Sequence, residues 1–174
     1  MTSCRWRKPV PDFLTQLSKL LSRVSLTLAA AGLCAMTLII TWQVFARYVL
    51  NASPSWTEQA SLLLMIWFIF LATAVGIREN FHIRITAMVD PLGSKARRTM
   101  EIITHVIVGL IGIGMILWGV QLTGYTWPHN IPTLGMSRGF AYIPVIVSGL
   151  MIAFFALEHI FAAIKGQEVE PLWN

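Results

Sequence analysis

The chain has 174 residues, 56% of them apolar and only 12% charged, where an ordinary soluble domain carries roughly 25% charged residues. With a mean hydropathy of +0.67 and its apolar residues gathered into long blocks, it has too little polar surface to wrap a water-soluble globule. Composition excludes a disordered chain, a disulfide-stapled mini-protein and a typical soluble enzyme, and predicts an integral membrane protein. The net charge of +5 comes from basic residues that flank the apolar blocks, so lipid headgroups are nearer partners than nucleic acid.

In chain order, residues 1–23 read as a basic tail followed by an amphipathic helix. Along Phe13–Val24 the apolar positions are 13, 14, 17, 20, 21 and 24, and Gln16, Lys19, Ser22 and Arg23 fill the other face. That period beside basic residues suits a helix lying in the membrane interface, with Lys19 and Arg23 as lipid anchors. Ala29–Ala31 imitate a signal-peptide cleavage site, but the apolar stretch continues to Val44 and Phe45, so the block is expected to stay as a span. Cys4 and Cys34 have neither disulfide nor metal spacing.

A spanning helix needs about 20 mostly apolar residues. Four stretches qualify, at about 24–50, 57–78, 99–123 and 139–164. The expected fold is therefore an all-α membrane protein, with a four-helix domain over 24–164 and a tail at 165–174. Helices follow because backbone groups left unpaired in hydrocarbon cost several kcal/mol each. Ile85, Met88, Val89 and Leu92 predict a second interfacial helix in the central loop. Of the 13 Lys and Arg residues, eleven fall on the side of the termini and central loop; only Arg47 and Arg138 fall on the other. The positive-inside rule then places both termini in the cytoplasm.

Within the spans, chemistry is sparse. Ser55 and Glu58 match a capping box at the start of the second span, with Trp56 at headgroup level. Arg47, near the outer end of the first span, is within reach of Glu58, and a pair between them would lock the first two helices. In that case the double alanine variant would lose little more than either single one. Gln43, one turn before Arg47, suits a helix-to-helix contact. The small-residue pairs Ala31/Ala35 and Ala72/Gly76 suit close helix approach. Pro144 is expected to kink the last span or mark its start. Glu58, Glu101 and Glu158 lie within two turns of span ends, where headgroups solvate them.

His105 and His159, both toward the cytoplasmic side, offer an alternative in which two helices clamp a haem axially, making the chain a redox anchor. No phosphate cradle, metal spacing or catalytic triad appears. Nor is there a mid-membrane acid or a broken helix of the kind from which transporters build their own sites. No cofactor and no catalytic residue is expected, and an autonomous exporter is disfavoured. The pattern suits a subunit serving a larger partner.

From about Val24 to Ile160 the chain resembles the small, DctQ-like membrane subunit of tripartite ATP-independent periplasmic (TRAP) transporters. The resemblance is carried by Phe45-Ala-Arg-Tyr48, Trp56-Thr-Glu58, Trp67, Gly76-Ile-Arg78, His82-Ile83 and Tyr142-Ile-Pro144. It departs at Gln59, where the family often has a second acid. The resemblance implies a non-enzymatic subunit of the bacterial inner membrane. Its partners would be a large membrane subunit, which holds the substrate and sodium sites, and a periplasmic substrate-binding protein, in uptake of an organic acid such as a carboxylate or sugar acid. It implies that Arg47, Trp56 and Glu58 brace the outer end or meet the binding protein, and that Trp67 packs against a helix or the large subunit. Arg78, His82 and Arg84, with Trp127 at the outer interface, would anchor to lipid. The basic interfacial helices would resist tilting of the scaffold.

Overall fold

The computed structural model describes residues 13–52, 54–79 and 94–165. Four helices dominate: α1 (Phe13–Tyr48), α2 (Trp56–Arg78), α3 (Ser94–Thr126) and α4 (Ile143–Lys165). Each carries a stretch long and apolar enough to cross a membrane: Gln16–Tyr48, Trp56–Arg78, Ile102–Thr126 and Arg138–Ile164. The four expected spans are thus present, and the protein is all-α in its membrane part. His82, Arg84 and the amphipathic segment expected at Ile85–Leu92 lie outside the described residues, as does the tail from 166 onward.

The helices form a row in the order α1, α2, α4, α3, with contacts concentrated between neighbours. Chain direction alternates, so the start of α1 and the end of α4 share one end of the row, here the terminal end. At the opposite, hairpin end, α1 passes to α2 through Asn51, in the left-handed conformation (φ 51°) that Asn tolerates. Between α3 and α4 lies a short antiparallel hairpin, β1 (Asn130–Ile131) with β2 (Met136–Ser137), pairing Asn130 with Ser137 and Ile131 with Met136. Gly135 closes its turn at φ 66°. A 3-10 turn, Arg138–Ala141, then leads into α4.

The row is turned inside out relative to a soluble bundle. Leu20, Leu38, Leu110, Leu117 and Trp118 are exposed, whereas Ser18, Ser22, Ser25 and Ala29 of α1 face inward. Lipid tails are as apolar as leucine, so large apolar side chains gain little by turning in. Small residues instead let backbones approach. The core is correspondingly small: Ala29, Leu71, Ala74, Met151, Ile152 and Phe155, joined by half-buried Phe68 and Met115. The closest approach is between α3 and α4. A Cβ added at Gly149 would lie 2.9 Å from the Gly112 carbonyl oxygen, and one at Gly119 would lie 2.9 Å from Ile146. Only glycine permits such backbone contact.

Several expectations are corrected. Residues 13–23 are not a separate interfacial helix: α1 runs unbroken for 36 residues, about 54 Å at 1.5 Å per residue. No proline interrupts it, and its serine stripe, not its leucine face, packs on the protein. Of the two roles expected for Pro144, the structure shows the second: it marks the start of the helix as the second residue of α4, where its missing N–H would have had no intrahelical partner. Ala31 and Ala72 face outward, so the small-residue pairs read from sequence are not the close-packed seam. The capping box does not form either. Ser55 is itself helical (φ −69°, ψ −18°) and makes no side-chain cap bond, whereas a capping residue needs extended backbone. The Thr57 hydroxyl instead donates to the Pro54 carbonyl at 2.8 Å.

Candidate functional site

Two regions gather polar side chains, one at each end of the row. At the terminal end α2 finishes on Arg78, whose side chain is wholly buried. Its Nη1 donates to Glu79 Oε1 at 2.8 Å, and its Nε donates to the Ser18 hydroxyl of α1 at 3.3 Å. The same Nε lies 3.8 Å from Glu158 Oε2 of α4, an ionic contact longer than a hydrogen bond. Ser18 in turn donates to Glu158 Oε1 at 2.7 Å, and Lys19 adds a second cation to the surroundings of Glu158. Two turns along, Ser25 Oγ lies 3.5 Å from Met151 Sδ, a second α1–α4 contact. Burying charge is costly unless it is paired, and this cluster pairs Arg78 with Glu79 and Glu158 by drawing on three helices.

The fourth helix joins through the histidines. His159 Nε2 is 3.0 Å from the Arg78 carbonyl oxygen; a carbonyl only accepts, so that nitrogen carries the proton. The His159 ring stacks on His105 of α3, with centroids 4.5 Å apart and planes 24° apart. Axial haem ligation needs a porphyrin between two rings that each aim a nitrogen at the iron. Rings in direct contact leave no slot, and His159 Nε2 is already committed, so the haem alternative loses its geometry. Among the described residues, no three His, Cys, Asp or Glu side chains gather to hold a metal ion.

Arg78 is also corrected. The resemblance implied a lipid anchor, yet its guanidinium turns into the protein and meets carboxylates. Glu158, expected to be solvated by headgroups, is solvated by Ser18 and Arg78. Within the cluster, Arg78 Nη2, Glu158 Oε2 and, one turn along, Ser22 Oγ have no hydrogen-bond partner among the described residues.

At the hairpin end, α1 and α2 border an open cleft of about 360 Å³, lined by Met36, Ile40, Gln43, Arg47, Glu58, Ser61 and Leu62. Arg47 and Glu58 are thus brought to one surface, both exposed. The two side chains form no salt bridge within 4 Å among the described residues, in contrast to Arg78. Trp56, also exposed, begins α2 at the same end, and Trp67 is half-buried midway along it. Across the row, Trp127 stacks on Phe140 with centroids 6.5 Å apart. It covers Gly139, where an added Cβ would fall 2.6 Å from the indole. Arg23 is exposed on α1 and Lys19 half-buried.

A row of four apolar helices, with exposed apolar flanks and polar clusters near its ends, defines a multi-pass α-helical membrane protein. Residues 36–166 match the family model of the DctQ component of tripartite ATP-independent periplasmic transporters, and the chain belongs to that family: it is a multi-pass small permease subunit of the inner membrane. It is 28% identical over 153 residues to the sialic acid TRAP transporter small permease protein SiaQ of Vibrio cholerae, covering 87% of this chain and 88% of that one. It is 25% identical to the ectoine TRAP transporter small permease protein TeaB of Halomonas elongata, over 90% of this chain and 80% of that one. It is also similar to the isethionate TRAP transporter permease protein DctMQ of Oleidesulfovibrio alaskensis, at 26% identity over 78% of this chain but only 22% of that much longer protein.

Proposed function

We propose that this chain is a stationary brace. It packs along a large membrane subunit that holds the substrate and sodium sites, and helps present the hairpin end to a periplasmic substrate-binding protein during sodium-driven uptake of an organic acid. The observation that carries the reading is the family match over most of the four-helix row. The long DctMQ relative supports the large-subunit partner, because a segment like this one is there part of a much larger permease. The eleven-to-two distribution of basic residues supports a cytoplasmic terminal end and a periplasmic hairpin end. Arg47, Trp56 and Glu58 then lie on the side from which a binding protein approaches, and the exposed apolar flanks of α1 and α3 suit lipid and a membrane partner. Relatives named for sialic acid, ectoine and isethionate resemble this chain to nearly the same degree, which supports placing substrate choice in the other subunits.

The test is reconstitution. Vesicles holding this chain alone are expected to show no uptake; vesicles holding it with its large partner and binding protein are expected to take up substrate when sodium is supplied outside. Uptake by the chain alone would overturn the brace reading. Failure of any large membrane protein to co-purify in mild detergent would remove its basis.

A further inference from the structure

The open cleft at the hairpin end has a polarity gradient that the packing of α1 on α2 leaves unused. On α1 its lining runs Met36, Ile40, Gln43 and Arg47, one residue from each successive turn; on α2 it runs Glu58, Ser61 and Leu62 in the opposite direction. The mouth thus carries one cation and one anion, and the floor is thioether and branched alkyl. Tyr48 and Trp56 are exposed at the same end, where aromatic side chains mark the headgroup level, so Arg47 and Glu58 lie at headgroup depth. Met36 lies about 16 Å below Arg47 along α1, at 1.5 Å per residue, and one leaflet holds roughly 15 Å of hydrocarbon.

The mouth charges are unspent. No bridge within 4 Å joins Arg47 to Glu58, and neither they nor Gln43 make a side-chain hydrogen bond among the described residues. The cleft is also too thin for a protein element. About 360 Å³ over that length leaves a section on the order of 20 Å², about a quarter of what a helix 10 Å across occupies. One alkyl chain fits such a section.

We propose that this cleft binds one phospholipid of the leaflet at the hairpin end, and that the headgroup it takes is phosphoethanolamine. An acyl chain lies along Leu62, Ile40 and Met36, Arg47 holds the phosphate, and Glu58 receives the ammonium. Arginine suits a phosphate because its planar fork donates to two oxygens at once. The phosphate and ammonium of this headgroup are separated by two carbons, which suits two side chains that share a cleft without bridging. Glu58 sets the choice among lipids. It accepts hydrogen bonds from a primary ammonium, finds no N–H on a choline nitrogen, and repels the net negative charge of phosphatidylglycerol. Gln43, half-buried one turn below Arg47, is placed to donate to the ester oxygens between headgroup and chain. The site follows from the α1–α2 hairpin alone and does not rest on the function proposed above.

Native mass spectrometry of the delipidated full-length chain in mild detergent tests this, with dioleoyl phosphatidylethanolamine, phosphatidylcholine and phosphatidylglycerol titrated separately. The chain is expected to take up one phosphatidylethanolamine with a preference of about threefold or more over the other two, the size that one partly exposed ion pair gives. Glu58→Gln should abolish the preference. Arg47→Gln should weaken binding of all three lipids, since all carry the phosphate, and the double variant should lose both increments. Ile40→Trp, which fills the floor, should lower uptake of every lipid. Arg138→Gln, exposed at the same end but outside the cleft, should change nothing. In native membranes, a phosphatidylethanolamine carrying a diazirine on its acyl chain should label the parent chain within 36–47 and 58–62.

Equal binding of the three lipids by the parent chain would overturn the proposal, because the cleft would then take whatever lipid surrounds it. A preference for phosphatidylglycerol would do the same, since Glu58 would not face the headgroup. So would a preference that survives Glu58→Gln, or a diazirine label that misses both stretches. If capture of the periplasmic substrate-binding protein needs Arg47 and Glu58 while lipid preference is absent, the mouth serves a protein and the lipid site falls.

Discussion

α1 and α2 meet at both ends of the row, and each end offers an arginine and a glutamate, but the two ends treat them differently. At the terminal end the Arg78 side chain is fully buried, 2.8 Å from Glu79 and 3.8 Å from Glu158. At the hairpin end Arg47 and Glu58 share a cleft yet remain exposed and unbridged. A cation at a membrane edge can be solvated by water and headgroups or by the protein. The terminal end takes the second course and becomes a joint. The hairpin end takes the first and leaves its charges to whatever meets that surface. The buried end ties three helices together, and the open end leaves its charges at the surface.

Arg78→Ala should expose this contrast most strongly. Breaking a buried pair by removing one partner costs about 3–5 kcal/mol, so the detergent-purified variant should melt well below the parent. Arg47→Ala, with no bridge to lose, should melt close to it. Similar melting temperatures for the two variants would erase the distinction between the ends. A second large effect is expected at the α3–α4 seam. Gly149→Leu would drive a side chain into the Gly112 carbonyl, and overpacking of this kind costs about 1–3 kcal/mol. Gly124→Ala on the same α3, with nothing within 4 Å of the new Cβ, should leave thermal stability unchanged or slightly raised through helix propensity.

The hairpin end calls for a functional readout. With no bridge between them, Arg47→Ala and Glu58→Ala should each reduce uptake modestly, and their effects should add in the double variant, measured as initial rates with saturating and limiting binding protein. A double variant no worse than either single one would restore the ion pair that the sequence suggested and the structure separates.

The spans were legible because twenty apolar residues have few other uses, and the expected 57–78 differs from Trp56–Arg78 by one residue. The inward faces were harder to read. Periodicity along Phe13–Val24 marks the leucine side as special, which in water would mean buried. In lipid that logic reverses, and the stripe Ser18, Ser22, Ser25, Ala29 turned out to be the packed one. Arg78 was misread because a snorkelling anchor and a buried joint occupy the same sequence position. What separates them is Ser18, 60 residues away, and Glu158, which lies 140 residues from Ser18. A usable signal existed: an arginine, a glutamate and a serine stripe at one depth on three spans. Ser55 failed as a cap because capping depends on backbone angles that the Ser-x-x-Glu pattern does not fix.

The smallest expected effect separates two residues that the sequence treats alike. Lys19 and Arg23 lie four apart on α1 and both read as lipid anchors. The structure places Lys19 half-buried in the electrostatic surroundings of Glu158 and Arg23 exposed. Lys19→Glu would replace a cation in the surroundings of Glu158 with a carboxylate. That variant should lower the melting temperature measurably. Arg23→Glu exchanges one solvated charge for another and should not, though it should weaken attraction to anionic vesicles, an effect that fades as salt rises because such attraction is screened beyond about 10 Å at 0.1 M ionic strength. If the two reversals prove equivalent in melting, then Lys19 belongs with the membrane surface after all, and the joint ends at Ser18.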